Sequence, residues 1–326
     1  MFEISKRNSR LWSRMGARAF YGSALSAIAV DNPNVIAMSA DLGRSSGLAR
    51  FAAENPTQFI NTGIAEQGMV GTASGLARMG FDVFASTFAP FASLRAGEIV
   101  RMNMGYMQEP VKLVALGSGL AMGFLGNSHY GLEDVAIMQA IPGLTVISPA
   151  DCAEIYKTLQ ACLHYPHPVY IRLTGAINLP VVYEEDYEFK IGKAIWITPP
   201  NHTTIISTGT TVGHALRALK ELEQSEPNIG LLNMHTIKPL DHEAIAQCVK
   251  SSQNICIIEE HTKIGGLGSA ILQHINEYHS EYSGRILMHS IEDKYVDTGT
   301  YQFLLETNKL DHSGIVQFLR EKLMHE

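Results

Sequence analysis

Apolar and small residues recur at helical spacing across residues 12–29 (WSRMGARAFYGSALSAIA), and that spacing predicts a helix. The turn signal Asp31-Asn32-Pro33-Asn34 then leads into a short apolar run at 35–40, the pattern of a buried strand. The alternation continues with a Gly- and Ala-rich helix near 68–79, a strand near 82–87 and a helix near 90–105. Strands follow at 111–116 and 144–148, a helix from 150 to about 164, and a strand at 168–172. Strand–helix–strand repetition of this kind predicts a parallel sheet covered on both faces. Between about 178 and 203 the pattern breaks: Pro180, the acidic cluster Glu184-Glu185-Asp186 and Pro199-Pro200 read as a linker with room for one short strand pair. A second unit follows, with strands at 204–207, 229–233, 255–259 and 285–290 alternating with helices at 211–224, 241–251 and 267–279. The expected fold class is α/β, with two consecutive parallel-sheet domains over 1–185 and 201–326 joined by a linker at 186–200. In such sheets ligands sit beyond the carboxyl ends of the strands, which directs attention to the loops at 39–46, 62–67, 86–91 and 116–131.

Composition narrows the classes of function. The 326 residues suit about two domains at ~150 residues each. With 46% hydrophobic and 17% charged residues, the chain can bury a large core, which excludes intrinsic disorder. Lys and Arg number 25 against 32 Asp and Glu, a net charge of −7 that argues against a general nucleic-acid binder. Cys152, Cys162, Cys248 and Cys256 have neither C-x-x-C spacing nor His at zinc-finger distance, and read as core residues of a reduced compartment. The first residues are polar and basic without an apolar stretch, so no signal peptide is expected, and no run of ~18 apolar residues predicts a membrane span. A cytoplasmic protein is expected. P-loop, G-x-S-x-G and H-E-x-x-H motifs are absent, and Gly265-Gly266-Leu267-Gly268 reads as tight strand–helix packing rather than a phosphate cradle.

Three segments carry candidate chemistry. Thr62-Gly63-Ile64-Ala65-Glu66-Gln67-Gly68-Met69 follows a short strand at 59–61 and places Glu66 at the positive end of a helix, where a carboxylate is favoured. The helix is nearly free of side chains (Gly68, Gly71, Ala73, Gly75, Ala77), which implies a closely packed neighbouring helix or subunit. Ser86-Thr87-Phe88-Ala89-Pro90-Phe91 sets two aromatics on one face at a strand-to-helix turn, a platform for a flat heterocycle or plain core. The glycine-rich loop from Gly117-Ser118-Gly119 to Gly126-Asn127-Ser128-His129-Tyr130-Gly131 contains one histidine.

The ordered set of segments resembles the transketolase-like family of thiamine-diphosphate enzymes over nearly the whole chain. It runs from Ser39-Ala40-Asp41-Leu42 through Gly63-Ile64-Ala65-Glu66-Gln67-Gly68-Met69, Ser86-Thr87-Phe88, Ser128-His129-Tyr130-Gly131 with Glu133-Asp134, Ile141-Pro142-Gly143-Leu144 and Ser148-Pro149-Ala150-Asp151. Thr236-Ile237-Lys238-Pro239-Leu240-Asp241 and Glu260-His261-Thr262-Lys263-Ile264-Gly265-Gly266-Leu267-Gly268 complete it. The resemblance implies a pyrimidine-binding domain followed by a transketolase C-terminal domain, with thiamine diphosphate bound between domains of different subunits. The Gly-Asp-Gly motif that precedes the diphosphate-binding Asn in the family is missing, and the chain is about half the length of a full transketolase. The resemblance therefore implies the C-terminal subunit of a split enzyme, with Mg²⁺ and the diphosphate held by an N-terminal partner subunit and no metal ligand in this chain. A homodimer within a heterotetramer, sugar-phosphate substrates, and neither nucleic acid nor membrane as partner are expected.

Carried over position by position, Glu66 resembles the glutamate that hydrogen-bonds N1′ of the aminopyrimidine, Phe91 the ring that stacks on it, and Phe88 the residue completing that pocket, with Asp41 and Ile64 beside the cofactor. Where the family often has a third aromatic, this chain has Leu94. Arg18 stands 23 residues before Asp41, as the phosphate-binding arginine does in transketolases, and Ser45 matches the serine beside it. Arg172 is a second substrate-phosphate candidate, and His129 matches the histidine near the reacting carbon. Gly117 and Leu125 depart from the family loop, which alters the reading of substrate hydroxyls. The implied reaction is transfer of a two-carbon ketol unit between sugar phosphates. Alternatives are the beta subunit of a 2-oxoacid dehydrogenase, a deoxyxylulose-phosphate-synthase-like enzyme, and a non-catalytic subunit that kept the fold.

Overall fold

The computed structural model describes residues 2–222 and 229–323. Among them twelve strands form two sheets: β1 (Val35–Ser39), β2 (Phe59–Asn61), β3 (Asp82–Phe88), β4 (Lys112–Ser118), β5 (Thr145–Ile147), β6 (Val169–Thr174), β7 (Ile195–Thr198), β8 (Thr203–Ser207), β9 (Ile229–Asn233), β10 (Thr236–Lys238), β11 (Asn254–Thr262) and β12 (Arg285–Ile291). The first sheet runs β10-β5-β6-β4-β3-β1-β2 and the second β12-β11-β8-β9-β7. From β5 to β2 every pairing is parallel, as is every pairing from β12 to β9. The strands β1, β3, β4 and β6 are buried along their whole length, which is why apolar residues dominate them on both faces without polar–apolar alternation. The expected α/β class and the two-sheet organisation are both present.

The structure departs from the sequence reading in several places. The helix expected over 12–29 is two helices, Lys6–Met15 and Ala17–Asp31, broken at Gly16. Gly16 has φ of +81°, and a Cβ there would lie 2.2 Å from the carbonyl oxygen of Ala176, so only glycine fits this corner. The helix expected near 90–105 is a chain of wide turns: Ala96 N–H donates to Phe91 O and Met107 N–H to Met102 O, each across five residues at 2.9 Å. The segment expected as linker ends in β7, which pairs antiparallel with β9 at the edge of the second sheet. The strand β10, from the second half of the chain, crosses over and pairs antiparallel with β5 in the first sheet. Helices Tyr301–Thr307 and His312–Leu323 were not expected at all. The helix expected over 211–224 is present as Thr211–Leu222, and residues 223 and 224 lie outside the described residues.

The two domains share a core. One apolar cluster joins Met38, Val70 and Leu113 of the first domain to Ile206, Leu232 and Ile257 of the second. Another packs Leu120, Tyr130 and Leu132, from the histidine-bearing loop, against Ile205, Cys256 and Leu304. Polar groups cross the junction too. Asn233 donates to both carboxylate oxygens of Glu154 at 2.9 and 3.0 Å, and Ala150 N–H donates to the same carboxylate at 2.7 Å. The Gly265–Gly268 turn is tight packing, as expected: Glu259 accepts from the N–H groups of Leu267 and Gly268 and fills the space beside Gly266.

Burial pushes the Glu154 carboxyl up to about 8. It also depresses His214, His235 and His261 to about 4. Above about pH 6.5 the native chain keeps protons on Glu154 and, to about pH 7, on Glu259 that the unfolded chain has released, so stability falls as pH rises toward 8, by at most about 1.4 kcal/mol per pH unit for each. Below that point the unfolded chain binds protons on the three histidines that the native chain refuses, so stability falls as pH drops toward 4. Urea midpoints measured from pH 5 to 8.5 are expected to peak near 6–6.5. Glu154→Met is expected to be less stable throughout but to have a flatter alkaline limb; an unchanged limb would exclude Glu154 as its source.

Candidate active site

The loops that follow β1, β2, β3 and β4 all emerge at the carboxyl edge of the first sheet, and they bring most of the expected residues together. Glu66 is the first residue of the helix Glu66–Arg78, which follows β2 by way of a turn at Gly63 (φ +69°). Its side chain is 3% exposed, and Oε1 accepts a hydrogen bond from Arg95 Nη1 at 2.9 Å. Arg95 was not anticipated. Its guanidinium carbon lies 4.1 Å from the centre of the Phe91 ring, so one planar cation both stacks on Phe91 and pairs with Glu66. The wide turn between Phe91 and Ala96 puts Arg95 there.

Phe88, Phe91 and His129 form a three-ring wall. Their centroids are 6.0 Å (Phe88–Phe91), 5.7 Å (Phe88–His129) and 5.4 Å (Phe91–His129) apart, all edge to face. Ser128 Oγ lies 2.9 Å from His129 Nδ1, which leaves Nε2 free for a ligand. The loop bearing His129 is pinned at both ends by backbone bonds between Gly119 and Gly131. Asn127 exchanges two hydrogen bonds with the backbone of Val296, and Tyr130 donates to Gly123 O and Asp297 O. Glu260 accepts from Leu120 N–H at 2.6 Å. The second domain therefore sets the position of His129. Gly117 has φ of +62°, and the Met122 sulfur fills the space of a Cβ, which accounts for the departure at that position. Leu125 and Leu94 are both exposed.

Asp41 adopts φ of +59° and sits in a polar turn with Asn61, which accepts from the N–H groups of Asp41 and Gly63 and donates to Asp41 Oδ1. Asn61, absent from the sequence reading, thereby ties the Asp41 loop to the turn before Glu66. Ile64, at the tip of that turn, is 75% exposed. Further along the same loop, Arg44 and Ser45 line a cleft of about 380 Å³ with Gly16, Arg18 and Gly47. Arg18 Nη1 donates to the Ser45 carbonyl at 3.1 Å, and partial burial lowers its pKa. Arg44 is a second cation in this cleft that the sequence reading missed.

Arg172 is a correction. Its guanidinium is 1% exposed and committed: Nε donates to Asp134 Oδ1 and Oδ2 at 3.1 and 2.9 Å, and Nη2 donates to Gly131 O at 2.9 Å and Glu260 O at 2.8 Å. Burial alone would depress its pKa, but the charge and hydrogen bonds of Asp134 and the charge of Glu260 raise it. A guanidinium spent in this way has no reach to a substrate phosphate. The four cysteines are buried and free.

An α/β scaffold with a buried acid, an aromatic wall and a cationic cleft along one sheet edge belongs to the class of proteins that hold small ligands at strand carboxyl ends. Residues 13–177 match the transketolase pyrimidine binding domain and residues 192–315 the transketolase C-terminal domain. The chain belongs to the transketolase family. A putative transketolase C-terminal section of Methanocaldococcus jannaschii is 37% identical over 313 residues, 95% of this chain and 97% of that protein. An apulose-4-phosphate transketolase subunit from Phocaeicola vulgatus is 34% identical over 302 residues, 92% of this chain and 95% of that one. Among solved structures, a split gene transketolase described as an inactive beta4 tetramer matches with a TM-score of 0.85 and 34% identity, over 94% of this chain and 98% of that one.

Removing Arg172 leaves Asp134 buried without its cation, which costs about 3–5 kcal/mol. Arg172→Met is expected to lower the urea midpoint accordingly. A stable Arg172→Met chain whose only defect is weak substrate binding would restore Arg172 to the cleft.

Proposed function

We propose that this chain is the C-terminal subunit of a split transketolase, moving a two-carbon ketol unit between sugar phosphates with thiamine diphosphate. Relatives of the same length, one of them named as a single subunit of a transketolase, support the reading. The observation that carries it is Glu66: a buried carboxyl at a helix start, beside an aromatic wall, on a helix whose glycine face is open. A Cβ at Gly75 would meet nothing within 4 Å, and one at Gly68 only the Ala65 Cβ. The close neighbour that this glycine stripe calls for is another chain. We infer a homodimer of this chain within a heterotetramer, completed by an N-terminal subunit that carries the diphosphate and Mg²⁺ site. None of the described helices is long and apolar enough to cross a membrane, and a cytoplasmic enzyme is the reading we favour.

The residues present fit an aminopyrimidine, because Arg95 already demonstrates the two contacts such a ring needs: a stack on Phe91 and a hydrogen bond to Glu66. Bound there, the coenzyme supplies a carbon nucleophile that takes up and passes on the ketol unit. Glu66 holds the ring nitrogen N1′ and shares its proton. Phe91 stacks on the ring, Phe88 closes the pocket behind it, and Ile64 and Asp41 flank it. His129, held by Ser128, donates to the oxygen that gains charge at the reacting carbon. Arg18 and Arg44, with Ser45, bind the substrate phosphate. Gly117 and Leu125, in place of polar family residues, suit a donor with altered hydroxyl recognition.

With the partner subunit supplied, the complex is expected to turn over ketose phosphates with aldehyde acceptors. Turnover instead of a 2-oxoacid with a dye acceptor would overturn the transketolase reading in favour of a dehydrogenase subunit. Glu66→Ala is expected to lower the rate roughly 10²–10⁴-fold with assembly intact. A loss of only a few-fold would make the chain a scaffold. Arg18→Ala is expected to raise KM for phosphorylated donors while leaving kcat nearly unchanged, as for a contact made equally in ground and transition states.

A further inference from the structure

We propose that in the chain by itself Arg95 occupies the seat of the coenzyme's pyrimidine, so that the coenzyme binds by displacing it; this rests on the reading of Glu66 and Phe91 given above. The guanidinium and an aminopyrimidine ring are both flat, delocalised and edged with N–H groups. Arg95 lies on the Phe91 ring at 4.1 Å and donates to Glu66 at 2.9 Å, the two interactions by which the ring would be held. Two planar groups cannot take the same face of Phe91 and the same carboxylate oxygen together.

The pairing has a physical origin. A carboxylate that is 3% exposed is costly without a cation or donors, and among the described residues Arg95 is the one group that bonds Glu66. Arg95 comes from outside: its side chain is 45% exposed, so it reaches inward from solvent and has space to leave. The chain alone therefore keeps its buried acid satisfied, and the ligand must break an ion pair before making its own. A site that is competent only when Arg95 is out binds more weakly in proportion to that fraction. Anchoring of the diphosphate by a partner subunit would tip the exchange, which couples coenzyme loading to assembly.

The test is calorimetric titration of the full chain, without its partner, using thiamine, which lacks the phosphates and reports on the ring seat, and thiamine diphosphate with Mg²⁺. The wild type, Arg95→Met, Glu66→Gln and the double variant are compared, with folding checked by circular dichroism. Arg95→Met is expected to bind thiamine about tenfold or more tightly than the wild type, as follows if Arg95 holds the seat about nine-tenths of the time. Adding Glu66→Gln is expected to cancel the gain. Equal or weaker binding by Arg95→Met overturns the proposal. If that happens while Glu66→Gln weakens wild-type binding, the displacement fails and the coenzyme reading stands. If neither substitution changes binding, an undetectable heat in all four included, both fall. Should Arg95→Met not fold, Arg95→Lys decides: it keeps a cation for Glu66 but loses the flat stack, so it must also bind more tightly than the wild type.

Discussion

The buried pair between Arg172 and Asp134 is the contact on which the arrangement of the molecule depends. Arg172 lies in β6, Asp134 opens a helix, Gly131 closes the histidine-bearing loop, and Glu260 lies in β11 of the other domain; one guanidinium ties all four. With Arg172 1% exposed and Asp134 fully buried, neither charge can be satisfied by water, so each holds the other in place. His261, buried beside them, is kept neutral, accepting from Ala136 N–H and bonding Thr262 O. The domains meet through a polar centre with few alternative geometries, set among apolar clusters that tolerate more.

That centre links the second domain to chemistry in the first. The loop from Gly119 to Gly131 is held by Glu260, by Asn127 on Val296 and by Tyr130 on Asp297, so residues nearly 170 positions apart decide where His129 stands. The strand β10 reinforces the junction by adding an antiparallel edge to the first sheet. The second domain positions the loop that bears His129, through Glu260 and the backbone of Val296 and Asp297.

In the proposed reading the site is completed by another chain. Its acid, rings and cations stand on one edge of a sheet, and the glycine face of the Glu66 helix is left open. The exposed Ile64, Leu94, Phe124, Leu125 and Ile177 are apolar groups on the segments around that edge, in keeping with the proposed interface to another chain. Arg95 satisfies the acid meanwhile.

Local pattern was enough to read most of the strand–helix alternation, the α/β class and the segments holding Glu66, Phe88, Phe91 and His129, because burial on both sheet faces leaves short apolar-rich runs and turns write Gly, Pro and Asn. The family resemblance made Arg172 a phosphate-ligand candidate, since an arginine within an apolar strand gives no sign of its partners. Arg95 pairs with a residue 29 positions away and Arg172 with one 88 away, and pairings at such separations leave no period in a sequence. The turn that widens after Phe91, the capture of β10 by the first sheet and the burial of Arg172 were settled only when the chain closed on itself. Each depends on which polar groups find one another once water is excluded, and that is a property of the packed molecule alone.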